Sequence, residues 1–212
     1  MMLRPQYLLI FFLIIGVSAC ASQKSVSQTS PGPAVQEVEA EPGDFQRTYL
    51  RSLAYLERGE VKKARVLLQE LAASKDSHSA IFNALGAAYR KEGMINEAVE
   101  AYKNAIKLQK DYVEAHYNLG IAYREIGQFE KAEVEYKQAI ALDPNFAPAH
   151  YNLGIFYDLY ANRTADALKH YKIYKVLAGN RDKLDVWIKD LERRVQEGAL
   201  STGMTQSGGE LQ

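Results

Sequence analysis

The sequence predicts an all-α protein built from four antiparallel helix pairs stacked one after another, with a single capping helix at the C-terminal end. Two observations lead to this fold. Apolar and small residues recur at helical spacing through 113–146, with a turn in the middle. The same pattern returns when the sequence is shifted by 34 residues, so that Gly86, Gly120 and Gly154 occupy equivalent positions.

The segment 113–146 shows the pattern most clearly, as two helices joined by a turn at Ile126-Gly127-Gln128. Small residues stand where the helices must approach each other, and tyrosines fill the space beside them. Asp143-Pro144 is expected to stop the second helix, because proline lacks an N–H and restricts the residue before it. The packing stripes are His116, Leu119, Gly120 and Tyr123 on the first helix and Phe129, Ala132, Tyr136 and Ala139 on the second.

The other copies differ from this segment mainly at the ends of the array. Strong copies cover 79–112 and 147–181, the latter with one residue inserted near Tyr160 that should lengthen only the turn. A weaker copy covers 45–78 and has Arg51-Ser52 where the others have Leu-Gly. Terminal repeats of such arrays are expected to be atypical.

The spacing Leu-Gly-x2-Tyr, then Ala-x3-aromatic-x2-Ala, then Asp-Pro resembles the tetratricopeptide repeat. This resemblance implies that residues 45–181 form a right-handed α-solenoid of four helix pairs. The sequence departs from the usual repeat at Lys110, where proline is common, and at His116 and His150, where tryptophan is common.

One further amphipathic helix is predicted over 182–198, where it would cover the last repeat. Trp187 belongs to its apolar stripe, so we expect this ring to take part in capping. Gly198 is expected to end the helix, and 199–212 is expected to be a disordered tail, because it is rich in serine, threonine, glycine and glutamine. The stripe consists of Leu184, Trp187, Ile188, Leu191 and Val195.

The N-terminus, 1–19, is typical of a secretory signal peptide, with Arg4 followed by an apolar run that is too short to span a membrane. Cys20, the only cysteine, follows directly. The sequence Val17-Ser18-Ala19-Cys20 resembles the bacterial lipobox, which implies that Cys20 is acylated and becomes the mature N-terminus. The alternatives are an uncleaved anchor and a plain signal peptide cut before an incidental thiol.

A linker is predicted to follow the cysteine, so that 20–44 holds the acylated residue and a flexible segment rich in serine, glutamine, proline and glutamate. Several acyl chains, such as palmitate, would hold the protein stably on a membrane. Ala21-Ser22 follow Cys20 without an aspartate at the second mature position. By resemblance to other lipoproteins, this implies the outer membrane, with the repeats facing the periplasm.

The composition points away from several functional classes. The formal net charge is zero and no cluster of lysine and arginine stands out, so no nucleic-acid partner is predicted. Phosphate-loop, nucleophile-elbow and paired-cysteine metal motifs do not occur, and we predict no enzyme activity, cofactor, metal or small-molecule substrate. His116 and His150 stand at equivalent positions of adjacent repeats, about a helix diameter apart, and are interpreted as packing residues.

In tetratricopeptide domains the groove made by the first helices binds extended peptides or partner helices. The amides of Asn118 and Asn152 are expected to face a bound peptide backbone, with Tyr117 and Tyr151 supplying apolar area. The alternative is that the asparagines contact only water. The carboxylate clamp of some relatives is not predicted, since Glu114 replaces an expected cation and the groove charges are mixed. The resemblance selects Asn83, Ala87, Arg90, Tyr117, Asn118, Ile121, Arg124, Tyr151, Asn152 and Ile155 as groove residues.

These observations predict an adaptor, a tetratricopeptide lipoprotein of the bacterial envelope that binds a protein partner and helps to assemble or position an envelope complex. It is similar in architecture to pilotins and to lipoproteins that hold cell-wall hydrolases near the membrane. The alternative is a structural subunit that self-associates, as part of a pilus, a secretion machine or a motor-coupled transport complex.

Overall fold

The computed structural model describes residues 43–179 and 183–207, with side chains described as far as Ala199. Every secondary-structure element in these ranges is an α-helix, as the sequence predicts. The helices are α1 Asp44–Glu57, α2 Val61–Ala72, α3 Ser79–Lys91, α4 Ile95–Leu108, α5 Val113–Glu125, α6 Phe129–Leu142, α7 Ala147–Leu159, α8 Thr164–Ala178 and α9 Leu184–Ser207.

The helices pack in pairs, α1 with α2, α3 with α4, α5 with α6 and α7 with α8. Each pair then packs on the next through its second helix, and α8 packs against α9. The odd-numbered helices α1 to α7 are called the first helices of their pairs below. The prediction of an all-α fold made of stacked helix pairs is confirmed.

A short turn joins the two helices of each pair. Between α5 and α6 the turn contains Gly127, whose φ of 75° is a conformation that favours glycine. The connection between α7 and α8 runs from Tyr160 to Arg163 and is one residue longer. Asn162 takes the left-handed conformation there, with a φ of 49°, which asparagine tolerates better than most residues. The insertion predicted near Tyr160 therefore falls within this turn.

Glycine and tyrosine form a recurring close contact inside three of the four helix pairs. A Cβ atom added to Gly120 would lie 2.7 Å from two ring atoms of Tyr136, which is completely buried. Gly86 meets Tyr102 in the same way, and Gly154 meets Tyr171. The close approach that the sequence predicts for these glycines is thus present in three successive pairs.

The last helix, α9, differs from the predicted capping helix in its bounds. It begins at Leu184 and continues through Gly198 to Ser207, whereas the predicted helix covers 182–198 and is followed by a tail. A single glycine does not have to end a helix, because it costs only about 1 kcal/mol relative to alanine. Leu184, Ile188 and Leu191 are buried, as expected for capping.

The predicted signal peptide, Cys20 and most of the linker lie outside the described residues, as do positions 180–182 and 208–212. Within the described ranges, no helix combines the length and the apolar character that crossing a membrane requires.

Candidate partner-binding surface

The ten predicted groove residues lie on the first helices α3, α5 and α7, and together they are called the first-helix surface. Nine of them are half-buried, while Asn152 is only 8% exposed. Their side chains are therefore neither core residues nor freely solvated. The sequence pattern leads to this placement because the glycine and leucine stripe of each first helix turns inward and leaves the opposite face open.

The asparagines on this surface bond to one another across the repeats. The Nδ2 atom of Asn118 donates to Oδ1 of Asn83 at 3.0 Å. The Nδ2 atom of Asn152 donates to the Tyr117 hydroxyl at 3.0 Å and to the Pro148 carbonyl oxygen at 3.1 Å. The expectation that both amides donate to a bound peptide is corrected for Asn152, whose donors are already used within the chain.

This network instead holds the first helices in register. Its bonds connect α5 to α3 and α7 to α5, and Asn83 itself donates to the Tyr112 hydroxyl at 3.4 Å. The Tyr117 hydroxyl accepts from Asn152 and keeps its own hydrogen available as a donor. What the surface offers a ligand here is a tyrosine hydroxyl rather than the Asn152 amide.

Ion pairs also connect successive repeats along this surface. Arg90 on α3 donates to Glu125 on α5 at 3.0 Å. Arg194 on α9 donates to Asp158 on α7 at 2.7 Å. Among the described residues, Arg124 on α5 forms no ion pair. Of the two arginines predicted to line the groove, Arg90 is thus paired within the chain and Arg124 is not.

Two buried tyrosine hydroxyls lie behind the arginines. Burial raises the pKa of Tyr102 to about 12, although the nearby Arg90 guanidinium acts in the opposite direction. Burial likewise raises the pKa of Tyr136 to about 12 against the effect of Arg124. Neither hydroxyl has a hydrogen-bond partner, and neither has Nε of Arg90 or of Arg124. Both tyrosines therefore stay neutral, and their hydroxyls lie in the core behind the arginine side chains.

A cleft of about 590 Å³ opens where α9 meets α7 and α8. Trp187 contributes to its wall with its ring centroid 5.9 Å from that of Tyr171, and it remains 41% exposed. The sequence interpretation of Trp187 as a capping residue therefore accounts for only part of its surface. The cleft is lined by Ile155, Asp158, Leu159, Tyr171, Val186, Trp187, Asp190 and Leu191.

The two histidines singled out in the sequence are buried, as expected for packing residues. Each donates from Nε2 to a backbone carbonyl oxygen, but their Nδ1 atoms have different partners. His116 meets Glu135 at 2.7 Å, and His150 meets His170 at 3.0 Å. In the part of the chain that the structure describes, no group of three or more metal-ligating side chains comes together.

The pKa values of His116 and His150 shift in opposite directions because their Nδ1 partners differ. Burial acts to lower the pKa of His116, but the bonds to Glu135 and to the Lys110 carbonyl oxygen outweigh it and raise the pKa. Burial lowers the pKa of His150, and burial together with the nearby His150 lowers that of His170 to about 4. The His150–His170 contact was not foreseen, because His170 lies on α8, outside the stripe that the repeat pattern defines.

Comparison with known proteins supports the repeat assignment. A family model for the TPR repeat matches residues 86–124 and 122–159. No curated protein matches the sequence.

Solved structures with similar folds include MamA from Desulfovibrio magneticus RS-1, residues 41 to the end, with 22% identity and a TM-score of 0.63 over 78% of this chain and 93% of that one. YrrB, a TPR protein with an unusual peptide-binding site, has 20% identity and a TM-score of 0.58 over 69% and 75% of the two chains. The first TPR domain of Spaghetti (RPAP3), bound to the HSP90 peptide SRMEEVD, has 19% identity and a TM-score of 0.52 over 56% and 93%.

At these identities the likeness concerns the fold. It agrees with the family match and with the helix pairs described above. Over residues 86–159 the chain is therefore built of TPR repeats, and the helices on either side pack in the same pairwise manner.

Proposed function

We propose that this protein is a membrane-anchored adaptor that binds a segment of a protein partner on its first-helix surface. The observation that carries the proposal is the first-helix surface itself. It presents tyrosines and isoleucines that pack against the core with one side and stay partly exposed with the other, together with an arginine that forms no ion pair with any described residue. Two structures of similar fold, YrrB and RPAP3, are described with a peptide-binding site or a bound peptide, which favours the same use here.

The proposed site of action is the periplasmic side of the bacterial outer membrane, where the adaptor would help to assemble or position an envelope complex. The support comes from the sequence, in which Cys20 directly follows a signal peptide and a lipobox-like tripeptide. Replacement of Cys20 by alanine should release the protein from the membrane fraction while leaving its helical circular dichroism unchanged. A Cys20→Ala variant that still sediments with membranes would contradict the lipid anchor.

Photocrosslinking in cells tests the binding surface. A photoreactive amino acid at Ile121 or Ile155 lies on the first-helix surface, while the same amino acid at Val134, 62% exposed on α6, serves as the matched control. The adaptor proposal predicts that one envelope protein is captured from both first-helix sites and not from Val134. Capture from Val134 alone would place the working surface on the second helices and refute the proposal.

Self-association as a structural subunit is the second candidate, because large apolar side chains are exposed at the C-terminal end of the array. Leu159 is 69% exposed, Val176 83% and Val186 66%. Burial of such a patch between copies would favour assembly. Sedimentation equilibrium of the Cys20→Ala protein separates the two candidates, since a mass that rises with concentration supports the structural subunit and a constant monomer mass excludes it.

A further inference from the structure

Near the C-terminal end of three of the four first helices, one residue contacts a residue 35 or 36 positions later, on the next odd-numbered helix. Nζ of Lys91 donates to the carbonyl oxygen of Leu56 at 3.1 Å. Arg90 pairs with Glu125 at 3.0 Å, and Asp158 pairs with Arg194 at 2.7 Å. These contacts form a series that runs from α1 to α9.

The series is interrupted at one place. Arg124 is equivalent to Arg90 in the next repeat, and the residue 35 positions after it is Leu159. Leu159 thus stands where Glu125 stands relative to Arg90, and it brings no carboxylate. Its side chain is 69% exposed, and Arg124 forms no ion pair with any described residue.

The immediate surroundings of Arg124 leave further polar atoms unused. Its Nε is buried and makes no hydrogen bond, and the same holds for the hydroxyl of the fully buried Tyr136 behind it. Burial acts to lower the pKa of Arg124, but the neighbouring hydroxyls of Tyr136 and Tyr160 outweigh it and raise the pKa. The guanidinium therefore stays charged. Arg90 and Tyr102 show the same two unbonded atoms, so Arg124 differs from Arg90 only in lacking a carboxylate partner.

We propose that Arg124 binds a carboxylate carried by the partner protein, in the place that Glu125 fills beside Arg90. The inference rests on the adaptor function proposed above and adds to it the chemistry of the partner segment. A carboxylate is the acceptor that an arginine fork fits best, through charge-assisted hydrogen bonds. This position lies outside the asparagine network.

The neighbouring charges distinguish Arg124 as the arginine of this surface that is open to a carboxylate. Arg90 is occupied by Glu125, and the nearby Asp158 is neutralised by Arg194, so neither offers a net charge to a ligand. The partner segment is therefore one that places a carboxylate at Arg124, either from an acidic side chain or from its C-terminal group, with apolar residues beside it.

Leu159→Glu supplies the missing carboxylate within the chain and tests the geometry without a partner. The introduced carboxyl should titrate at least about 1 pH unit below the ordinary glutamate value of about 4.3, as followed by NMR, because Arg124 stabilises its charged form. Addition of Arg124→Gln should return the titration to the ordinary value. An ordinary value in the single variant would show that Arg124 cannot reach a carboxylate here and would overturn the proposal.

Selection from a displayed library of random peptides on the full-length protein then tests the ligand. The library is shown in two formats, with the peptide C-terminus free or blocked, to distinguish a terminal carboxylate from an acidic side chain. Peptides selected on the natural protein should share one carboxylate position and bind Leu159→Glu and Arg124→Gln at least tenfold more weakly. Leu159→Gln, which changes shape without adding charge, should bind them as the natural protein does.

Two other results of the peptide selection would separate this inference from the adaptor proposal. Selected peptides that compete for the first-helix surface but carry no common carboxylate would overturn this inference and leave the adaptor proposal intact. The absence of any peptide that requires the first-helix surface would overturn both.

Discussion

Replacement of Gly120 by alanine tests the glycine–tyrosine contact that recurs in three of the four helix pairs. The added Cβ atom would lie 2.7 Å from Cδ1 and Cε1 of Tyr136 and 3.3 Å from the Ala132 carbonyl oxygen. Ordinary contacts of this kind are about 3.5–4.0 Å long. The ring is completely buried, and the carbonyl belongs to the helix backbone, so neither neighbour can withdraw without moving α6.

The expected cost follows from two opposing effects. Overpacking of a core contact destabilises by about 1–3 kcal/mol. Alanine is a better helix former than glycine by about 1 kcal/mol, which offsets part of this. Because two ring atoms and a backbone oxygen would all lie too close, we place the overpacking at about 2–3 kcal/mol. The net loss in the free energy of unfolding is then about 1–2 kcal/mol, which reduces the ratio of folded to unfolded protein roughly 5- to 30-fold.

Urea denaturation followed by circular dichroism measures this change as a lower midpoint at an unchanged slope. Gly198→Ala is the matched control, because no neighbouring atom lies within 4 Å of the Cβ position in α9. That variant should gain up to about 1 kcal/mol. Adding Tyr136→Leu to Gly120→Ala should cost less than the sum of the two single changes, since the clashing ring is removed. A Gly120→Ala protein as stable as the natural one would refute the proposed packing.

The remaining predictions concern the polar network and the histidines. Asn152→Ala should cost about 1–3 kcal/mol in urea denaturation, because it leaves the Tyr117 hydroxyl without its donor in a buried setting, whereas Asn118→Ala should cost less at its half-buried site. Because the pKa of His116 is raised, its contribution to stability is complete below about pH 6.5 and is lost as pH rises through the folded-state pKa; His116→Gln should abolish this loss. Because the pKa of His170 is lowered to about 4, stability should fall as pH falls from about 6.5 towards 4, and His170→Gln should flatten that limb. Urea denaturation midpoints measured between pH 4 and 9 check both histidines. If a histidine variant kept the pH dependence of the natural protein, the role assigned to that histidine would be contradicted.

The repeat pattern was sufficient to predict the helix pairs and their contacts. Leu-Gly-x2-Tyr placed Gly120 against the partner helix, and Asp143-Pro144 ended α6, because both signals depend on local backbone and packing requirements. The pattern also selected the open face of each first helix. The close contacts, the helix ends and the open face recur from copy to copy, so a single sequence is enough to predict them.

Contacts between copies were harder to predict. A single repeat shows which face a side chain occupies, but not which residue of the next repeat it meets. The Asn152–Tyr117 bond and the pairing of Arg90 with Glu125 therefore became clear only in the structure. Trp187 was assigned to capping for a similar reason, since an apolar stripe does not show how much of a large ring its neighbour covers.

The most direct test of the account is the yield of crosslinked partner from Ile121 in cells that carry Leu159→Glu or Leu159→Gln. Both variants lose the same apolar side chain, but only the first places a carboxylate within reach of Arg124. The account predicts that Leu159→Glu abolishes the adduct while Leu159→Gln retains it. Equal yields from the two variants would contradict the claim that the partner binds through the open arginine of the first-helix surface.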